Sequence, residues 1–350
     1  LIFSTPAVSF RRLPDDYLGS FARYCQGPRA STLKGLHMVS FILRRILSTL
    51  PVMIIVAIVV FAMLRLTPGD PAVVIAGDQA TAEQIARIRS NLGLDLPIHV
   101  QFVTWIGQLL QGDLGISIFT NMPVSTLIAQ RLEPTLLLSL TTVCFSVLVA
   151  VPLGVWAAWR SGTWTDRLIM VFSVLGFSFP VFVLGYVLIY QFGLTLKWLP
   201  TQGYKSPFVD PVGFMRSIIL PTITLSMIYI ALVTRITRAS VLEVLSEDYI
   251  RTARAKGQIE RLVLFRHALK NAAVPIATII GIGIALLIGG AVVTETVFNI
   301  PGLGRLVVDA ILRRDYPIIQ GLILVFSFTY IIINMLIDIA YTFFDPRIRY

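Results

Sequence analysis

Long apolar runs separated by short polar intervals dominate the chain. A hydrocarbon core about 30 Å thick needs about 20 apolar residues per crossing helix. Six runs meet that need: residues 46–66, 135–159, 168–194, 218–233 with their flanks, 273–298 and 318–344, the fourth being the shortest. Helices are the spanning form expected, because in lipid each backbone amide must be bonded within its own segment. Pro180, in GFSFPVF, is expected to kink the third helix, and Pro51 the first. The pattern therefore predicts an all-α integral membrane protein with six transmembrane helices.

The intervals carry patterns of their own. Residues 67–132 are too long for a simple connector and are expected to hold short helices on the extracytoplasmic side. Thr81 with Gln84 three residues on reads as a capping box, and Gly93 as a helix stop. Apolar residues at 98, 102, 103, 106, 109 and 110 form a helical stripe suited to an interfacial or cap helix. Glu133 and Pro134 suit the first turn of a helix. Residues 1–37 differ in character from the remainder of the chain and are expected to be a disordered extension or a start-site misassignment, with Met38 as the natural start. The chain then divides into 38–66 with the first span, the loop 67–132, a core 133–344 and a tail 345–350.

Composition agrees: 56% of the 350 residues are hydrophobic and 14% charged, against roughly 25% charged in soluble domains. The net charge of +10 would suggest nucleic acid in a soluble chain, but in a membrane protein basic residues mark cytoplasmic loops. With both termini cytoplasmic, Arg44, Arg45, Arg160, Arg167, Arg347 and Arg349 fall inside, and Arg305, Arg313 and Arg314 fall outside against the rule. Cys25, Cys144 and the three scattered histidines form no disulfide or metal pattern. No P-loop, GxSxG or HExxH motif is present, so no enzymatic chemistry is visible. An ion-coupled secondary transporter would want facing acids at mid-membrane. Glu295 and Asp338 lie toward opposite ends of their runs instead. Gly281, Gly283, Gly289 and Gly290 cluster in the fifth run, where small residues let helices pack closely or widen a pathway.

One polar island interrupts the apolar pattern. Between residues 235 and 270 lie eight Lys/Arg and four Asp/Glu. Such an island is a solvated loop, a lipid anchor or a docking surface. Within 235–272, Ala253 and Gly257 are four apart and would share a helix face, rimmed by Arg251, Arg254, Lys256 and Arg261.

This stretch, DYIRTARAKG followed by RHALKNA, resembles the cytoplasmic EAA-type loop of binding-protein-dependent ABC importer permeases of the dipeptide/oligopeptide class. Arg251, Thr252 and Ala253 stand in the Glu-Ala-Ala register and Gly257 in that of the glycine, with arginine replacing the glutamate. LRLTPGDPA (64–72), GDLGIS (112–117), FNIPGLG (298–304), RDYPIIQG (314–321) and DPRIRY (345–350) support the resemblance, which is strongest to the B-type permease and runs from 38 to 350. It implies a type I ABC importer permease in a bacterial inner membrane, forming half of a peptide pathway with a second homologous permease. It implies two cytoplasmic ATPases that bind ATP and Mg, an extracytoplasmic solute-binding protein, lipid contact, and no cofactor in this chain. Coupling to the ATPases would fall to Arg251, Thr252, Ala253, Arg254, Ala255, Lys256 and Gly257. The rival reading is the ion-driven secondary transporter.

Overall fold

A computed structural model of the chain describes residues 47–63, 72–73, 81–91 and 93–344. Among these residues the architecture is all-helical, with one isolated antiparallel bridge between Ile116 and Pro123. The extension 1–37, the tail 345–350 and most of LRLTPGDPA lie outside the described residues. Two units are distinguished, Leu1–Val52 with Tyr350 and Met53–Arg349; the second holds all elements except the opening of the first helix.

Helix α1, Leu47–Met63, is apolar but shorter than a full crossing in its described part. Helices α2 (Ala82–Asn91) and α3 (Ile98–Leu110) come next. The capping box forms as expected: Gln84 N–H donates to Thr81 Oγ1 at 3.3 Å and Thr81 N–H to Gln84 Oε1 at 2.9 Å. Gly93, at φ +64°, closes α2 with the Leu94 N–H on the Arg89 carbonyl. Phe102 and Trp105 of α3 stack around Phe61 of α1.

Among the described residues, four helices or continuous helical runs are long and apolar enough to cross a membrane, and a bent pair adds a fifth if its two halves form one span. Helix α4, Val124–Trp159, starts inside the segment expected to be loop. Glu133 and Pro134 are therefore well inside it rather than at its first turn; the helix starts on Pro123, whose fixed φ suits the cap. The third run is not one kinked helix. Helix α5 (Trp164–Ser178) and helix α6 (Val181–Leu188), which continues into a π-helical segment Ile189–Thr195, meet at 101° across Phe179–Pro180. Proline removes an amide and clashes with the preceding turn, and here the flanking Phe179 turns to extended backbone as well.

The fourth run, shortest in the sequence, is helix α7, Pro211–Leu245, and 72% of its most apolar window is buried. Hydroxyl residues hide its length in the apolar pattern. Buried Ser217, Thr224 and Ser226 bond to carbonyls one turn back, so they pack as small side chains. Asp210 caps it, accepting from Lys205 Nζ and Gly213 N–H, each at 2.8 Å. The Lys205 ammonium first, and then the Gly213 amide, hold that carboxyl below its ordinary range. α4 packs along α7 so closely that a Cβ on Gly154 would stand 2.6 Å from Thr237 Cβ.

Helix α8, Asp248–Ala255, comes after α7. A single turn, Glu260–Leu262, and a second π-helical segment, Val263–Ala268, lead into helix α9, Leu269–Val297. Helix α10 (Leu303–Arg313) and helix α11 (Tyr316–Phe344) complete the fold. Connectivity puts α8 at one end of the bundle and α10 at the other. Of the α9 glycines, three serve packing: a Cβ would meet Ile337 at Gly281, the Tyr229 ring at Gly283 and Leu225 at Gly290. Gly289 faces open space.

A candidate coupling helix and the opposite polar end

At the α8 end, Ile250 and Ala253 are buried and hold the helix onto its own chain, against the π segment that carries buried Val263 and Leu264. The opposite face presents Arg251, Thr252, Arg254, Ala255 and Lys256 to the exterior. This corrects the expected docking face. Ala253 points inward, and Gly257 is not on the helix at all. Gly257 sits at φ +76° just past the C-cap, with its N–H on the Arg254 carbonyl and the Gln258 N–H on the Ala253 carbonyl. That is a Schellman stop, in which the left-handed residue is glycine because a Cβ is strained there. The stop is braced by an ion pair from Arg254 to Glu260 at 2.6 Å, and Asn271 Nδ2 donates to Tyr249 OH at 2.7 Å.

Two residues that sequence reasoning misses tie this end together. Asp166, near the start of α5, receives two hydrogen bonds from the Arg238 guanidinium of α7, at 2.5 and 2.8 Å, and one from Gly162 N–H at 3.0 Å. Asp166 is 5% exposed and Arg238 26%, so the pair is largely shielded from water. A bidentate Arg–carboxylate contact fixes orientation as well as charge. Asp166→Ala strands the guanidinium and is expected to cost about 2–3 kcal/mol, read as a lower unfolding midpoint of the purified protein. No local motif signals the pair, since its members are 72 residues apart.

At the α10 end, the acid a carrier would have used is committed to structure. Glu295 is fully buried, accepting from Thr135 Oγ1 at 2.6 Å and from Arg305 N–H at 3.0 Å. Thr135 Oγ1 in turn accepts the Leu303 N–H at 2.8 Å. The carboxylate thereby caps the N-terminus of α10, where helix amides are otherwise unpaired. FNIPGLG is explained by this contact: a Cβ on Gly302 would stand 2.3 Å from the Glu295 carboxyl, and one on Gly304 2.5 Å from Val292 Cα. Beside it, Tyr204 OH donates to Glu133 at 2.8 Å. Buried Asp315 accepts from Ser117 Oγ at 2.6 Å and Ile118 N–H at 3.3 Å, joining GDLGIS to RDYPIIQG. Between these ties lies a cavity of about 110 Å³ bounded by α4, α10, the 119–120 loop and the start of α11. No group of three or more metal-ligating side chains occurs among the described residues.

Residues 150–350 match the family described as "Binding-protein-dependent transport system inner membrane component", and residues 38–141 match its N-terminal component. The chain is 57% identical over 310 residues to "Probable peptide ABC transporter permease protein y4tP" of Sinorhizobium fredii, covering 89% of this chain and 99% of that protein. It is 46% identical over 314 residues to "Glutathione transport system permease protein GsiC" of Salmonella typhimurium, covering 89% and 100%. Among solved structures it resembles one of the inward-facing conformations of the MetNI methionine ABC transporter, with TM-score 0.53, 15% identity and coverage of 63% of this chain and 96% of that one. At that identity the likeness speaks for the fold alone.

Proposed function

The chain belongs to the binding-protein-dependent transport system inner membrane component family, and from that premise we propose how it works within a peptide importer. It forms half of the pathway beside a second homologous permease. A solute-binding protein delivers peptide at the α10 end, and two ATPases, which bind ATP and Mg, engage the α8 end. Both termini and α8 are cytoplasmic, in the orientation the basic residues favour. The cargo class rests on relatives named as peptide and glutathione transport permeases.

The observation that carries the coupling role is the form of α8. It is a short amphipathic helix with its apolar face spent on its own chain and five polar or small positions turned outward. It sits between α7, the most buried span, and α9. A push on α8 therefore reaches the bundle through α7 and, by way of the π-helical segment it packs against, through α9. Asp166–Arg238 extends that rigid body to α5.

Cysteine scanning tests this. With Cys25 and Cys144 replaced by serine, Thr252→Cys and Arg251→Cys should cross-link to the ATPase subunits in membranes, and Ala253→Cys should not. Cross-linking through position 253 alone would reverse the assigned face. Gly257→Ala places a Cβ at a left-handed position at a cost of about 1–2 kcal/mol. It should fray the end of α8 and lower ATPase stimulation by loaded binding protein, while the complex still assembles. Full stimulation in that variant would remove the Schellman stop from the coupling path.

A further inference from the structure

Arg313 stands on the side of the membrane where basic residues are disfavoured, and the coupling reading gives it no role. The cavity at the α10 end does. It is lined by Arg131 of α4 and Arg313 of α10, with Asp309, and its apolar wall includes Leu306, Ala310 and Ile318. Two acids, Asp309 and Asp315, line it as well. Asp315 is bonded to Ser117 and Ile118, and Asp309 lies 3.9 Å from Arg305. Neither Arg131 nor Arg313 forms an ion pair among the described residues. The walls are also fixed in advance: α10 by Glu295 and Thr135, and the 117–120 loop by Asp315. Two arginines beside an apolar wall, on a frame that is tied before a ligand arrives, match a carboxylate attached to a small apolar body.

We propose that this cavity receives the C-terminal carboxylate of a short peptide as it leaves the binding protein, with Arg131 and Arg313 as the carboxylate-binding residues and the Leu306–Ala310–Ile318 wall against the last side chain. At about 110 Å³ it takes one residue end and not a whole peptide. It is a handover point and not a storage site. The proposal rests on the peptide-importer reading and on the orientation that puts α10 outside.

The test uses the complete transporter in proteoliposomes with its binding protein, and trialanine and trialanine amide as probes at matched binding-protein occupancy. Wild type should import the free acid about tenfold faster than the amide, the effect of losing one charged hydrogen-bonded contact. Arg131→Gln with Arg313→Gln should bring that ratio to about one. An unchanged ratio, or equal loss on both probes, overturns the site. A second measurement needs no transport: phenylglyoxal modification of Arg131 and Arg313, mapped by mass spectrometry, should be slowed several-fold by millimolar trialanine and not by its amide. Equal protection by both, or by neither, also overturns it. Failure of wild type to import either probe would count against peptide as the cargo, while the protection result still decides the cavity.

Discussion

Gly283→Ala is expected to cost the protein its folded core. A Cβ at this position would lie 1.7 Å from Tyr229 Cε2 and 2.5 Å from Cδ2, inside the ring. The ring has little room to yield, because Tyr229 is 3% exposed and its OH donates to the Ile280 carbonyl of the same helix as Gly283, one turn away. Overpacking a close-packed interior costs about 1–3 kcal/mol, and occasionally more. An immobile aromatic puts this site at the upper end, so loss of most extractable folded protein is expected. Gly289→Ala, six residues along the same helix and in open space, should stay within about 0.5 kcal/mol of wild type. The unfolding midpoints of the two variants in detergent make the comparison. Similar midpoints would mean that α7 and α9 are not held together at this contact.

Glu295→Ala should be almost as damaging, by a different route. It removes the acceptor for Thr135 Oγ1 and for the Arg305 amide, both at a buried site. Each stranded donor costs about 1–3 kcal/mol, so a loss of about 3 kcal/mol or more is expected. Glu295→Gln, which keeps one acceptor oxygen, should retain part of it. The local signature is protease cleavage in residues 298–304 under conditions where wild type resists. Loss of stability without cleavage there would place the damage elsewhere than at the α10 cap.

What is legible in the residues is mostly local or compositional. Thr81, Gln84 and Gly93 carry their helix cap and stop within a dozen positions, and both form as expected. The apolar runs mark the crossings because lipid tolerates little else. At Gly281, Gly283 and Gly290 a Cβ would meet a neighbouring side chain, and nothing in the pattern sets Gly289, which faces open space, apart from them. Pro180 announces a disturbance, but not 101° of it, since the angle depends on what the two halves pack against. Helix α7 is underestimated because its hydroxyls look polar in sequence and behave as small packing groups in place. Ala253 is assigned outward because spacing shows which residues share a face, not which way the face looks. Glu295 and Thr135, 160 positions apart, and Asp166 and Arg238, 72 apart, meet only through the fold.

The π-helical segment Val263–Ala268 between α8 and α9 bears on how this chain tolerates changes in its length. A π turn is an α turn with one residue inserted. Deleting one residue there should restore an ordinary α turn and leave the helical phase on both sides of it unchanged. An insertion or deletion elsewhere in α9 would instead misalign Gly281, Gly283 and Gly290 with the side chains they accommodate. Among related sequences, single-residue gaps in this region should therefore gather at 263–268, and those that carry one should keep the pattern of exposed residues in the helix corresponding to 248–255.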